Sequence, residues 1–336
     1  MHDAPLAYPS ELLPIKRCSE LWGSDRLLTQ GAGGNTSLKL SDWMWIKASG
    51  TWLADAGKDD IFVPVETRSA LAAIERGDDD KAVWRTPDGR LLRSSIETSL
   101  HAVIPLPWVV HLHTLHSMFW ASVEEPIKYL TPLLEGLPWG WVEYARPGLP
   151  LTLALKRCHE NRQRVWVLGN HGLVVAGDGA EEVSEWLYEV ERRLVTEAVA
   201  GTFDPERLTA SCPAGYHTAK YADSHLCAIL RETFEQASAG MPAPDFAVFL
   251  GARLCPIEER SAYETEQRHA PPVLLIRGAG ALVRDGVSEN GEQMLEAFGR
   301  MLSRLNGRRL TFLPKDEVAA LLDWDAEKYR QSLNRS

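Results

Sequence analysis

Cysteine is scarce in this chain. The five residues Cys18, Cys158, Cys212, Cys227 and Cys255 are odd in number and share no CxxC spacing. That argues against a secreted-type disulfide framework and fits a reducing, cytoplasmic setting in which thiols serve as small buried hydrophobes. Long apolar runs are missing as well. Nowhere do about 18 uncharged apolar residues follow one another, and Asp3, Glu11 and Glu20 interrupt the first thirty positions, so neither a membrane span nor a secretory leader is expected. Positive charge is in deficit: 36 Lys+Arg against 46 Asp+Glu give a formal charge of −10, with no basic cluster. Nucleic acid and anionic membrane are therefore excluded as default partners.

What remains is a globular composition, 45% hydrophobic with 12 Trp, over 336 residues. That length suits one large or two ordinary domains. Helical spacing of Leu12, Ile15, Leu21 and Trp22 predicts a helix over 11–28, with Pro14 in its first turn. The glycines Gly31, Gly33 and Gly34 then lead into two alternating segments, Ser37–Leu40 and Trp43–Lys47, which read as a hairpin around Ser41-Asp42. A dinucleotide-binding turn needs GxGxxG feeding a helix, so that reading fails here. Further helices are expected over 66–75, 94–104 and 181–200. Strands are expected over 109–114, 165–168 and 173–176, the last two bracketing the turn Gly169-Asn170-His171-Gly172.

VWVLGNHGLVVAGD at 165–178 aligns without gaps with VLLIRGAGALVRDG at 273–286, and an acidic helical segment follows each. In that alignment Ala279 stands where the first copy has His171. The second copy therefore reads as structural, completing a sheet, and the Pro-rich Met241–Pro244 marks the boundary between a domain over 1–240 and an extension over 241–336 packed on the same core.

His111 and His113 lie two apart on a strand, so both imidazoles leave the same face and present two nitrogens to one ion. Ten histidines also make a chance pair unremarkable. His171, in a Gly-flanked turn, offers a third nitrogen, and three histidines with an open position is the pattern of a catalytic zinc. Glu97 lies on the helix leading into the His111 strand. It suits a general acid/base, and equally a capping box with Ser94. Asn35, Thr36, Ser49, Gly50, Ser94 and Ser95 supply the small hydroxyls, backbone donors and helix N-terminus that a phosphate needs. They are also ordinary turn and cap residues.

Together these segments resemble the class II aldolase/adducin family. GNTSLK is similar to its Gly-Asn-any-Ser element, KASGT to its Ser-Gly phosphate loop and RSSIETSLH to the segment with the acid/base carboxylate. VVHLHT is similar to its paired zinc histidines and GNHGLVV to the turn with the third, and the five occur in the family's order. Where the aldolase pattern runs Ser-Ser-Glu, Ile96 intervenes here. The resemblance implies a three-layer α/β/α fold around a mixed, mainly antiparallel sheet, commonly a homo-oligomer and often a tetramer. It implies one Zn2+ per chain on His111, His113 and His171, with Glu97 as acid/base, and Asn35, Ser49, Gly50, Ser94 and Ser95 on the substrate phosphate. The expected function is a lyase of carbohydrate metabolism, a metal-dependent aldolase that works on a ketose phosphate by a retro-aldol route through an enediolate. No lone lysine stands out in an apolar strand for a Schiff base. Rival expectations are an epimerase, decarboxylase or dehydratase on the same scaffold, or an adducin-like binding module without catalysis.

Overall fold

A computed structural model describes residues 8–78, 82–86, 88–158, 162–267 and 269–324. The chain forms two compact units, one of Met1–Ser117 with Ile127–Leu194 and the other of Met118–Pro126 with Val195–Ser336.

In the first unit the chain runs α1 (Leu13–Ser24), β1 (Asn35–Leu40), β2 (Trp43–Lys47), β3 (Phe62–Glu66), α2 (Thr67–Glu75), the small hairpin β4 (Val83–Arg85) and β5 (Leu91–Arg93), and α3 (Thr98–Val103). It continues through β6 (Trp108–Leu112), the first turn of α4 (Leu115–Ser122), whose remainder belongs to the second unit, α5 (Pro126–Leu133), β7 (Trp139–Val142), α6 (Leu149–Cys158), β8 (Val165–Leu168), β9 (Gly172–Gly177) and α7 (Ala180–Leu194). Seven strands form one sheet in the order β3-β2-β1-β6-β9-β8-β7, antiparallel except for β7 beside β8. The expected β1–β2 hairpin is present, with Ser41 in the left-handed region at φ 53°.

Strand alternation builds the layers. Ile46, Ser37, Val109 and Ala176 stand opposite one another across β2, β1, β6 and β9 and share a face. On it, Val109, Trp166, Val174 and Ala176 pack with Leu100 and Ile104 from α3 and its end and with Leu151 and Leu155 of α6, while Met44, Ile46 and Val65 pack with Ala70 and Ile74 of α2. The alternate residues face α1 and α7, as the bond between Ser19 of α1 and Thr36 of β1 shows. Two helical layers thus cover a mainly antiparallel sheet, the expected three-layer α/β/α architecture.

The second unit holds α8 (Pro205–Ser211), β10 (Tyr216–Thr218), α9 (Leu226–Ile229), α10 (Arg231–Ala239), α11 (Pro244–Leu250) and β11 (Cys255–Pro256). After them come α12 (Arg260–Gln267), β12 (Val273–Ile276), β13 (Gly280–Arg284), α13 (Glu289–Leu302) and α14 (Lys315–Asp323). Its own sheet has the order β10-β13-β12-β11 around a core of Leu208, Tyr216, Tyr263, Leu274 and Leu282. Residues 118–126 belong here because Val123 bridges to Leu310 and the Ser122 carbonyl accepts from Thr311 N–H.

Three expectations change. The units divide at Leu194/Val195 rather than at 240: Met241 and Pro244 are buried, Pro244 starts α11, and the Met241 carbonyl accepts from Leu313 N–H, so the Pro-rich stretch is interior. The second copy of the repeat does lie in a sheet, but in a separate four-stranded one with its own core cluster. Of the five thiols only Cys227 and Cys255 are buried; Cys18 and Cys212 are half-buried and Cys158 is exposed.

The repeat itself extends to register. Val165 faces Val175 and Leu168 faces Gly172 in β8–β9, and Val273 faces Val283 and Ile276 faces Gly280 in β12–β13. The preceding strand matches too, with His111 opposite Val174 in one sheet and Thr218 opposite Leu282 in the other. A parallel strand flanks each hairpin. The helices correspond, with Leu187, Val190 and Leu194 of α7 buried where Leu295, Phe298 and Leu302 of α13 are. Among the described residues no helix is long and apolar enough to cross a membrane.

Candidate active site

β6 carries His111 on the face toward α3, and His113 follows just past the strand end. The turn after β8 delivers His171: Asn170 adopts φ 51°, and His171 N–H returns to the Leu168 carbonyl at 3.1 Å. Gly172 is required there, because a Cβ at that position would come within 2.6 Å of the Leu112 carbonyl oxygen. The three imidazole centroids lie 4.9, 4.9 and 5.2 Å apart, and all three rings are buried.

Their ligand nitrogens all fall within 4.8 Å of one another. His111 Nδ1–H donates to the Leu173 carbonyl at 3.0 Å, so the lone pair of the neutral ring lies on Nε2, the nitrogen that would ligate. That Nε2 lies 3.0 Å from His113 Nε2. Nitrogens about 2.0–2.1 Å from one zinc at tetrahedral angles stand about 3.3 Å apart, so the donor set fits such an ion.

Glu97 closes the cluster. Its Oε2 lies 3.4 Å from His111 Nε2 and its Oε1 3.4 Å from His171 Nε2, and Asn35 Nδ2 donates to Oε2 at 2.8 Å. Burial alone pushes the Glu97 carboxyl up, but His111 and His171, the Asn35 hydrogen bond and His113 hold it down to about 2. It is an anion at neutral pH, 4% exposed, among three imidazole edges.

The capping-box alternative for Glu97 does not hold. α3 starts at Thr98, later than the expected Ser94; Glu97 is its N-cap residue, and its side chain makes no cap bond. Ser94 instead pairs with Ala48 in an isolated bridge, and Ser95 Oγ accepts from Glu97 N–H at 3.2 Å. The same bridge brings two expected phosphate elements side by side, since Ser49 N–H donates to the Arg93 carbonyl at 2.9 Å and Gly50 follows at φ 79°. Among the described residues the buried Ser94 Oγ and Asn35 Oδ1 have no hydrogen-bond partner.

Thr36 does not join this set. It neighbours Asn35 on a strand, so its side chain leaves the opposite face, where Oγ1 pairs with Ser19 Oγ at 2.7 Å.

Two further residues bear on the site, and of these Lys39 has no signal in the sequence. Lys39 on β1 donates from Nζ to the carbonyls of His101 and Leu106, and burial draws its pKa down to about 7, so a lysine of shifted basicity does stand on this strand. It holds the α3–β6 connection. His101 is fully buried with Nδ1 2.7 Å from Ser37 Oγ, and burial, with Lys39 and His111 nearby, pushes it well below the usual histidine range. Its position one helical turn after Glu97 was the available signal.

The fold and this site define an α/β protein with a buried histidine triad that can bind a metal. Residues 15–197 match the model of the class II aldolase and adducin N-terminal domain, and the chain belongs to that family. It is 29% identical over 197 residues to a Bacillus subtilis protein named uncharacterized oxidoreductase YuxG, covering 54% of this chain but 28% of that one. It is 29% identical over 175 residues to the L-fuculose phosphate aldolase of Methanocaldococcus jannaschii, covering 48% of this chain and 81% of the relative. Among solved structures, the N-terminal class II aldolase domain of a conserved Thermoplasma acidophilum protein aligns at 25% identity with a TM-score of 0.47, covering 58% of this chain and 97% of that one.

Proposed function

We propose that the protein is a zinc-dependent aldolase that cleaves or forms a C–C bond in a ketose phosphate. The observation that carries this reading is the convergence of His111, His113 and His171 with the Glu97 carboxylate, each oxygen of which lies 3.4 Å from an imidazole nitrogen. The similarity to an aldolase acting on L-fuculose phosphate supports the substrate class.

His111, His113 and His171 are the residues that would hold one zinc per chain. Bound there, the ion would supply Lewis acidity toward negative charge on the substrate's oxygens. Glu97, ionised and steered by Asn35, moves the proton at the carbon next to the carbonyl. Ser49, Gly50, Ser94 and Ser95 gather where two strand ends meet and bind the phosphate through hydroxyls and backbone N–H groups. Asn35 Oδ1, buried without a hydrogen-bond partner among the described residues, accepts from a substrate hydroxyl.

The test is a panel of ketose phosphates incubated with zinc-loaded protein while aldehyde release is followed. Cleavage of at least one, abolished by chelation, is expected. No cleavage across the panel, or cleavage that survives removal of metal, overturns the proposal.

A further inference from the structure

A second buried polar cluster lies directly after the histidine strand. Thr114 Oγ1 donates to Glu191 Oε1 of α7, and His116 Nδ1 donates to Glu191 Oε2 at 3.0 Å. Ser117 N–H donates back to Thr114 Oγ1 at 3.3 Å, so the same threonine starts α4. Thr114, His116, Ser117 and Glu191 are all buried. One carboxylate therefore fixes the two side chains that flank the exit of β6, the first of them bonded in sequence to His113.

The internal repeat supplies a control. The second unit keeps the register of the hairpin and of the strand beside it. At the places of His111, His113 and His171 it has Thr218, Lys220 and Ala279. At the places of Thr114 and His116 it has Tyr221 and Asp223, and at the place of Glu191 it has Gly299. That glycine cannot be replaced, because a Cβ would come 1.9 Å from the Asp223 carbonyl oxygen. The same strand-helix architecture is thus built without the carboxylate, and the carboxylate is missing where the ligand histidines are missing. The architecture alone therefore does not require an acid at this position.

We infer that Glu191 is a positioning residue of the metal site, holding the β6 exit through Thr114 and His116 so that His113 keeps its aim. This rests on the reading of the triad as a zinc site. Outer groups of this kind are worth about 10–100-fold in metal affinity when removed.

The experiment is zinc titration of the full chain in competition with a chromophoric chelator, beside apo-protein melting. The proteins are the wild type, Glu191→Gln, Thr114→Val and Thr114→Ser, with Glu185→Gln as a control on an exposed carboxylate of the same helix. Glutamine cannot accept from both donors through its amide nitrogen, so Glu191→Gln should weaken zinc about 10–100-fold. Thr114→Val should do the same, Thr114→Ser should restore affinity, and the control should match wild type. If Glu191→Gln does not fold, the two Thr114 variants carry the test alone. Variants that melt earlier as apo protein yet bind zinc as tightly as wild type make Glu191 a structural residue and overturn the inference. A wild type that binds no zinc overturns the site reading itself, an outcome distinct from unequal affinities among variants.

Discussion

Asn35 and His111 stand directly opposite each other where β1 pairs with β6, and the Asn35 amide donates to Glu97 Oε2 at 2.8 Å. Sheet register alone therefore sets the distance between a candidate ligand and the group that steers the candidate base. Three segments far apart in sequence meet because β6 lies between β1 and β9.

Glu97→Gln should retain metal and lose turnover by about 10²-fold or more, the usual scale of a general acid/base. Asn35→Ala removes a hydrogen bond that favours the ionised carboxylate, so the Glu97 pKa rises. The acid limb of the kcat/KM profile then moves to higher pH. Metal content by elemental analysis and a pH profile of each variant check this. A Glu97→Gln protein with full activity on an identified substrate removes Glu97 from the chemistry.

Much of the site was legible because its signals are local. A histidine pair with strand spacing, a Gly-flanked histidine turn and a hydroxyl-rich Ser-Gly loop each report their own backbone. Thr36 was misplaced although the signal was present, since neighbours on a strand face opposite sides. The α3 start was not legible: Ser94 and Glu97 have capping-box spacing, and only the distant pairing of Ser94 with Ala48 delays the helix. The unit boundary failed for a similar reason, because nothing near Met241 in sequence announces its bond to Leu313. Glu191 could have been noticed as an acid on the buried stripe of Leu187, Val190 and Leu194.

In the second unit, His217 Nδ1 lies 3.0 Å from Asp285 Oδ1 and its Nε2 3.2 Å from Glu292 Oε1. Burial lowers its pKa, but the hydrogen bonds to Asp285 and Glu292 and their charges outweigh that, and the net direction is up. A histidine raised on folding contributes stability that is fully present below its unfolded pKa of about 6.5 and is lost as pH rises through the higher folded value. With the side chain 48% exposed, solvent screening keeps the effect to about 0.5 kcal/mol. His217→Gln should therefore lower Tm at pH 6 by more than at pH 8.5. Equal losses at both pH values mean that the carboxylate contacts do not stabilise the charged ring.

Ending the chain after Gly240 should give aggregated protein. The cut leaves α8, β10 and α10 in place but removes β12, β13 and α13, uncovering the buried Leu208, Tyr216 and Phe234. Size-exclusion chromatography decides. A soluble, monodisperse 1–240 protein that binds zinc at wild-type affinity shows residues 241–336 to be an independent appendage.

The register match between the two sheets predicts that a second metal site can be installed by side chains alone. Thr218 faces Leu282 as His111 faces Val174, Lys220 follows two residues later as His113 does, and Ala279 N–H returns to the Ile276 carbonyl at 2.9 Å as His171 N–H returns to Leu168. Three imidazoles introduced by Thr218→His, Lys220→His and Ala279→His should converge as the natural triad does. Replacing Lys220 breaks its ion pair with Glu289, and that pair is exposed enough for the loss to be small, at most about 1 kcal/mol. With Gly299 where the first unit has Glu191, the new site should bind more weakly than the natural one, so zinc titration of the triple variant should show two steps, the second at higher free zinc. A folded triple variant that still takes up a single zinc means that the two turns, alike in register, aim their side chains differently.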